Sequence, residues 1–147
     1  MADSRTPDAD RFDSPMVPGA AAVDAPIAVD GTRDWFLHRL GGRFVTVHFA
    51  SDAANDATGA FVSAFEGGIP RDPALRNVFP LVVGPMPAAD TSGLAVLQDV
   101  EGLVAQRYDA TPGTTYLFRP DQHVCARWRG FDATWLRDAL VRATCTG

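Results

Sequence analysis

The sequence predicts an α/β domain in which helices flank a mixed central sheet, with the order β-α-β-α-β-α-β-β-α. Three observations predict it. Two segments, RFVTVHFA at 43–50 and VFPLVVG at 78–84, carry β-branched and aromatic residues on both faces, the mark of central strands covered on both sides. Helix-period segments separate and follow them. Near the end two strand-like segments meet at Pro120-Asp121-Gln122, and an amphipathic helix closes the chain.

Taken in order, residues 1–17 hold Asp3, Asp8, Asp10 and Asp13 among small residues and prolines, with Phe12 and Met16 the large apolar side chains. So little apolar area does not offset ordering entropy, so 1–17 is expected to be a mobile acidic tail and 18–147 a single domain. Residues 25–29 read as a short extended segment ending at the turn pair Asp30-Gly31. Thr32 is placed as the N-cap of a helix running to Leu40, with Gly41 as its left-handed stop.

After the strand at 43–50, residues 53–65 place Ala57, Phe61, Val62 and Phe65 at helical spacing, ending in Gly67-Gly68. A connector with Pro and Arg leads to the strand at 78–84, and 85–93 is expected to be loop. Residues 94–98 fit a strand extension or a turn. Asp99 is placed as the N-cap of a helix bearing Leu103, Val104 and Tyr108. GTTYLF and HVCARW form the hairpin, with proline at the first central turn position. Asp132 caps the last helix, whose apolar face holds Trp135, Leu136, Ala139, Leu140 and Ala143, with Phe131 and Leu136 at staple positions. This order is the thioredoxin-like arrangement, a parallel pair of strands joined to an antiparallel pair.

Composition narrows function. The chain has 147 residues, 46% hydrophobic and 21% charged, enough for one core without metals or disulfides. Its net charge of -5 lacks the basic face that a phosphate backbone requires, so nucleic acid is not an expected partner. No apolar run reaches the ~20 residues of a membrane helix, and the amino terminus shows neither a basic start nor an apolar core of a signal peptide; the expected location is cytoplasmic. All 13 cations are arginine, which removes lysine Schiff-base and P-loop chemistry. Cys125 and Cys145 form no CxxC pair and no metal-ligand cluster with histidine; reduced thiols are expected.

The segments PGAAAVDAPI, the Asp30-Gly31 turn, GGRFVTVHFA and above all RYDATPGTTYLFRPDQHVCARWRG resemble the carboxy-terminal thioredoxin-like domain of FAD-dependent aromatic-ring hydroxylases of the phenol hydroxylase and hydroxyphenylpropionate hydroxylase type. The resemblance runs from Pro18 to Ala143, and its most specific piece is RPDQHV-ARWR. In that family a separate amino-terminal domain with a GxGxxG turn holds the flavin. Here the paired glycines 41–42 and 67–68 follow helical segments instead of opening them, so no cofactor is expected, and the resemblance implies an accessory domain without the catalytic one. The initial methionine and tail fit a free-standing relative or an excised domain.

Several clusters invite a chemical reading. In redox-active thioredoxin-like proteins the reactive cysteine follows the first central strand at a helix N-terminus, where the dipole stabilises a thiolate; here the sequence reads Ser51-Asp52-Ala53-Ala54, without sulfur. His123 and Cys125, two apart, share a strand face and fit a base and nucleophile, against the plainer reading of a hairpin pair with no oxyanion hole. His48 with Ser51 and Asp52 sits on one short connector and does not make a triad, so His48 is expected to be a hydrogen-bonded core residue. Trp128 and Trp135 are assigned to the core.

The candidate interaction residues are Arg119, Asp121, Gln122, His123, Arg127 and Arg129, as an arginine-aspartate network that fixes the hairpin or meets a subunit. No catalytic or metal-binding residue is expected. The functional expectation is a non-catalytic interaction domain, acting as a homodimer or docked on a separate FAD monooxygenase subunit. The alternatives are a divergent thiol oxidoreductase using Cys125 or Cys145, and a small-ligand binder using the cleft above the central strands.

Overall fold

The computed structural model describes residues 12–50, 56–65, 73–84 and 94–145. Its elements are β1 (Pro26–Val29), β2 (Thr32–Trp35), β3 (Phe44–Phe49), α1 (Asp56–Phe65), β4 (Val78–Val83), β5 (Ala95–Leu97), α2 (Leu103–Arg107), β6 (Thr115–Phe118), β7 (Val124–Trp128) and α3 (Ala133–Cys145). Short 3-10 turns at Phe36–Arg39 and Pro73–Asn77 lead into β3 and β4.

Five strands form one sheet in the order β5-β4-β3-β6-β7. β3, β4 and β5 are parallel, β6 runs antiparallel beside β3, and β7 runs antiparallel beside β6. Alternation along β3 explains the two-sided apolar pattern. Val45, Val47 and Phe49 point to one core with Leu81, Val83, Leu97, Tyr116, Phe118 and Val124, beneath α2 and the 3-10 turn. The opposite face joins Val78, Val82, Leu117, Ala126 and Trp128 to Phe61 and Phe65 of α1 and Leu136, Ala139 and Leu140 of α3. The result is a mixed sheet between two helical layers.

The expected helix at 32–40 is replaced. Asp30 (φ 51°) and Gly31 (φ 80°) are both left-handed, the backbone of a two-residue hairpin turn whose twist matches paired strands. The chain therefore folds straight back, Val29 facing Thr32 and Pro26 facing Trp35, and one 3-10 turn takes the place of the helix. β1 and β2 form their own two-stranded sheet. Gly41 does adopt the left-handed conformation, φ 98°, but after the 3-10 turn. Residues 94–98, left open between strand and turn, contain β5.

Asp132 caps α3 as expected, whereas α2 starts at Leu103 with Gly102, not Asp99, at its N-cap position. Asp132 Oδ1 accepts the Thr134 amide at 2.8 Å, and the Asp99 carboxylate accepts the amides of Val104 and Ala105 at 3.0 and 2.9 Å. Gly102, in the left-handed region at φ 71°, lies between Asp99 and the helix start, so the carboxylate reaches across a turn.

Residues 12–17, assigned above to the acidic tail, pack on the domain. Met16 is 6% exposed and Ser14 9%. Ser14 Oγ donates to the Arg107 carbonyl at 2.8 Å, and the Asp13 amide donates to Asp109 Oδ2 at 2.8 Å. The remainder of that tail, the glycine pair 67–68 and the loop 85–93 lie outside the described residues.

Candidate functional site

The carboxyl ends of β3 and β4, with the loops before α2 and β6, enclose a cleft of about 530 Å³. Open α/β sheets bind ligands at this end of their strands. Phe49, Val83, Val100 and Pro112 give it apolar walls, and Gln98, Asp99 and Thr111 give it polar groups. Its shape depends on Gly84: a Cβ there would lie 2.8 Å from the Ala50 carbonyl oxygen, closer than atoms pack. The Asp99 carboxylate is occupied by α2, and the Thr111 amide donates to Thr114 Oγ1 at 3.1 Å. The cleft thus offers space without a free charged group among the described residues.

Ser51 and Asp52 lie outside the described residues, as do the first residues of the expected helix at 53–65. The sequence alone establishes that no sulfur stands between β3 and α1. His48, on β3, is fully buried. Its Nδ1 pairs with Thr115 Oγ1 and its Nε2 with Thr58 Oγ1, both at 2.8 Å, and its ring stacks on Phe61 at 4.9 Å. Burial without a charged partner pushes its pKa down to about 4, because the apolar surroundings penalise imidazolium. It is a neutral core histidine, as expected.

His123 and Cys125 do not form a pair. A register shift sets Phe118 opposite Val124 and Leu117 opposite Ala126, leaving Cys125 as the extra residue of a bulge, so the two-residue alternation breaks there. Cys125 turns onto the core beneath α3, and burial raises its thiol pKa. His123 Nδ1 contacts Asp121, at 3.0 Å to the carbonyl and 3.3 Å to Oδ1. The side chain of Cys145 lies outside the described residues.

The six candidate interaction residues divide into two groups. At the hairpin tip the Gln122 amide donates to the Arg119 carbonyl at 2.9 Å, which closes the turn with Pro120 at its first central position; Gln122 is left-handed at φ 64°. Arg119 and Asp121 pair at 2.5 Å, and Arg119, Asp121 and His123 stay 39–49% exposed.

The other three bond to the rest of the domain, Arg127 buried and Gln122 and Arg129 partly exposed. Gln122 Nε2 donates to the Leu37 carbonyl at 3.0 Å and binds the 3-10 turn to the hairpin. Arg127 is 3% exposed and donates to the Ser14 carbonyl at 3.0 Å. Arg129 binds Asp109 through its carbonyl and Oδ2, each at 2.5 Å. The two guanidiniums lie 4.4 and 3.8 Å from the Phe12 ring centroid, and Tyr116 meets that ring edge-on at 5.8 Å. The physical reason is alternation: Arg127 and Arg129 fall on the face that receives the amino-terminal segment. Trp128 is buried, whereas Trp135 is partly buried against the α3 core.

Comparison with solved structures places this architecture. The flavin-dependent monooxygenase PieE, solved with FAD and substrate, matches with a TM-score of 0.63 and 22% identity, over 100% of this chain and 23% of its own. The peroxidoxin BcpB from Mycobacterium tuberculosis matches at 0.65 and 15% identity, over 88% of this chain and 97% of its own. Copper-bound ScoI from Arabidopsis thaliana matches at 0.63 and 16%, over 87% and 100%. The fold is thioredoxin-like, and the chain spans 23% of the length of the monooxygenase. No protein-family model matches this sequence, and no curated protein matches it.

Proposed function

We propose that this chain is a non-catalytic thioredoxin-like domain of the kind attached to FAD-dependent aromatic monooxygenases, working through protein contact: self-association, or docking on a separate flavin-bearing subunit. The observation that carries the reading is the missing sulfur after β3, where Ser51-Asp52 stands and Asp52 adds a charge that opposes a thiolate. The inward-turned Cys125, with its raised pKa and no base beside it among the described residues, supports the same reading. So does the full-length match to part of PieE, together with the RPDQHV-ARWR resemblance. Arg119, Asp121 and His123 are the hairpin residues that remain as contact candidates.

The test combines assay and hydrodynamics. The purified chain is expected to lack insulin reductase and peroxidase turnover, to carry no flavin absorbance, and to sediment as a dimer or co-sediment with an added aromatic monooxygenase. Turnover that disappears in Cys125→Ala overturns the non-catalytic assignment. A monomer that ignores the monooxygenase overturns the contact role.

A further inference from the structure

A second, smaller cavity of about 160 Å³ lies where the 3-10 turn meets β3 to β5, floored by Phe79, Leu81 and Leu97 and rimmed by His38, Arg39 and Arg43. The charges there are unequal. Asp34 holds both His38 Nδ1 and Arg39 Nη2, at 2.8 and 2.7 Å, so that corner is close to neutral. The Arg43 guanidinium lies over the Phe79 ring, 3.7 Å from its centroid, and among the described residues it has no carboxylate partner. Stacking uses one face of the guanidinium and leaves its in-plane N–H edge free, the edge that matches a carboxylate with two parallel hydrogen bonds.

We propose that this cavity binds a small carboxylate with a compact apolar body: the carboxylate meets Arg43, and the body rests on the exposed edges of Val29, Phe79 and Ala95 above the buried Leu81 and Leu97. The larger cleft is a poorer host for an anion, since among the described residues Asp99 lines it and no cation does. The small volume suits a free molecule of about benzoate size better than an extended peptide, and the side chains of Val29, Phe79 and Ala95 give an organic anion a contact that inorganic phosphate cannot use.

Titration of the ¹⁵N-labelled full chain with benzoate at constant ionic strength tests this, with benzamide as the uncharged isostere and phosphate as the anion without an apolar body. Benzoate is expected to give saturable shifts at Gly41, Leu81 and Leu97, with benzamide and phosphate each binding at least about tenfold more weakly. Arg43→Gln should lose about tenfold or more, and Arg43→Lys, which keeps charge but loses the planar fork, should also weaken binding. Arg33→Gln, which breaks only the surface pair with Glu101, should bind as the parent does. Absence of saturation with benzoate, equal affinity for phosphate, or unchanged affinity in a well-dispersed spectrum of Arg43→Gln overturns the proposal.

Discussion

The guanidinium of Arg129 lies 3.8 Å from the centroid of the Phe12 ring and at the same time binds Asp109. One side chain thus ties the amino-terminal segment to the loop before β6. Asp109 completes the link by accepting the Asp13 amide, and that hydrogen bond is the leading cause of its lowered pKa.

Arg129→Ala is therefore expected to cost about 1–2 kcal/mol, since it removes part-buried hydrogen bonds to Asp109 and a stacking contact with Phe12. Urea denaturation measures the loss. Hydrogen exchange at the Asp13 and Met16 amides should accelerate in the same variant, and unchanged exchange there would separate any loss of stability from release of the segment.

How much of this was legible follows from the range of the interactions. β3, β4, β6, β7 and α3 are written locally, in β-branched runs, turn chemistry and caps. The Asp30-Gly31 pair is also local, and it is a strong hairpin signal. Thr32, a good cap residue, drew the reading toward a helix, although Thr32, Arg33, Asp34 and Trp35 show no helical apolar period. The docking of Phe12 to Met16 was not legible, because its partners lie far along the chain: Arg127 reaches Ser14 across 113 positions. The bulge at Cys125 was hidden for a similar reason, since register belongs to the strand pair and not to HVCARW alone.

His48 gives the protein a pH-dependent stability with a defined window. Its pKa is about 4 in the fold against 6.5 unfolded, so the unfolded chain binds the extra proton first. Stability is fully present above pH 6.5, falls as pH drops toward 4, and loses about 3 kcal/mol in all by order of magnitude. Denaturant midpoints across pH 4 to 6.5 measure this, and His48→Asn should remove the slope. Asp34, Asp109 and Asp121 also have lowered pKa values, but their losses come at more acidic pH, below the ordinary carboxylate value of 3.8.

Gly84→Ala probes the close approach of β3 and β4 at the cleft. The new Cβ would meet backbone, the Ala50 carbonyl oxygen at 2.8 Å, and backbone there cannot swing aside as a flexible side chain would. Overpacking of this kind costs about 1–3 kcal/mol. A thermal melt should show the loss, and a melt equal to that of the parent would mean that the strand ends part easily.

The hairpin tip is the last test, because it separates a turn built for structure from one built for binding. Pro120 fixes φ at the first central position, Asp121 follows, and Gln122 takes the left-handed position while its side chain holds the 3-10 turn. Pro120→Gly leaves these contacts in place but gives the unfolded chain more freedom, so it should cost about 0.4–1 kcal/mol. Gln122→Ala removes the side-chain bond to the Leu37 carbonyl, which keeps the Leu40 amide, and should cost about 0.5–1.5 kcal/mol, while Arg119→Ala breaks only an exposed ion pair and should cost less than about 1 kcal/mol. Chemical denaturation of the three variants gives this order, and sedimentation of Arg119→Ala reads the contact role separately. If Gln122→Ala proves as mild as Arg119→Ala, the link between hairpin and 3-10 turn does not hold the fold.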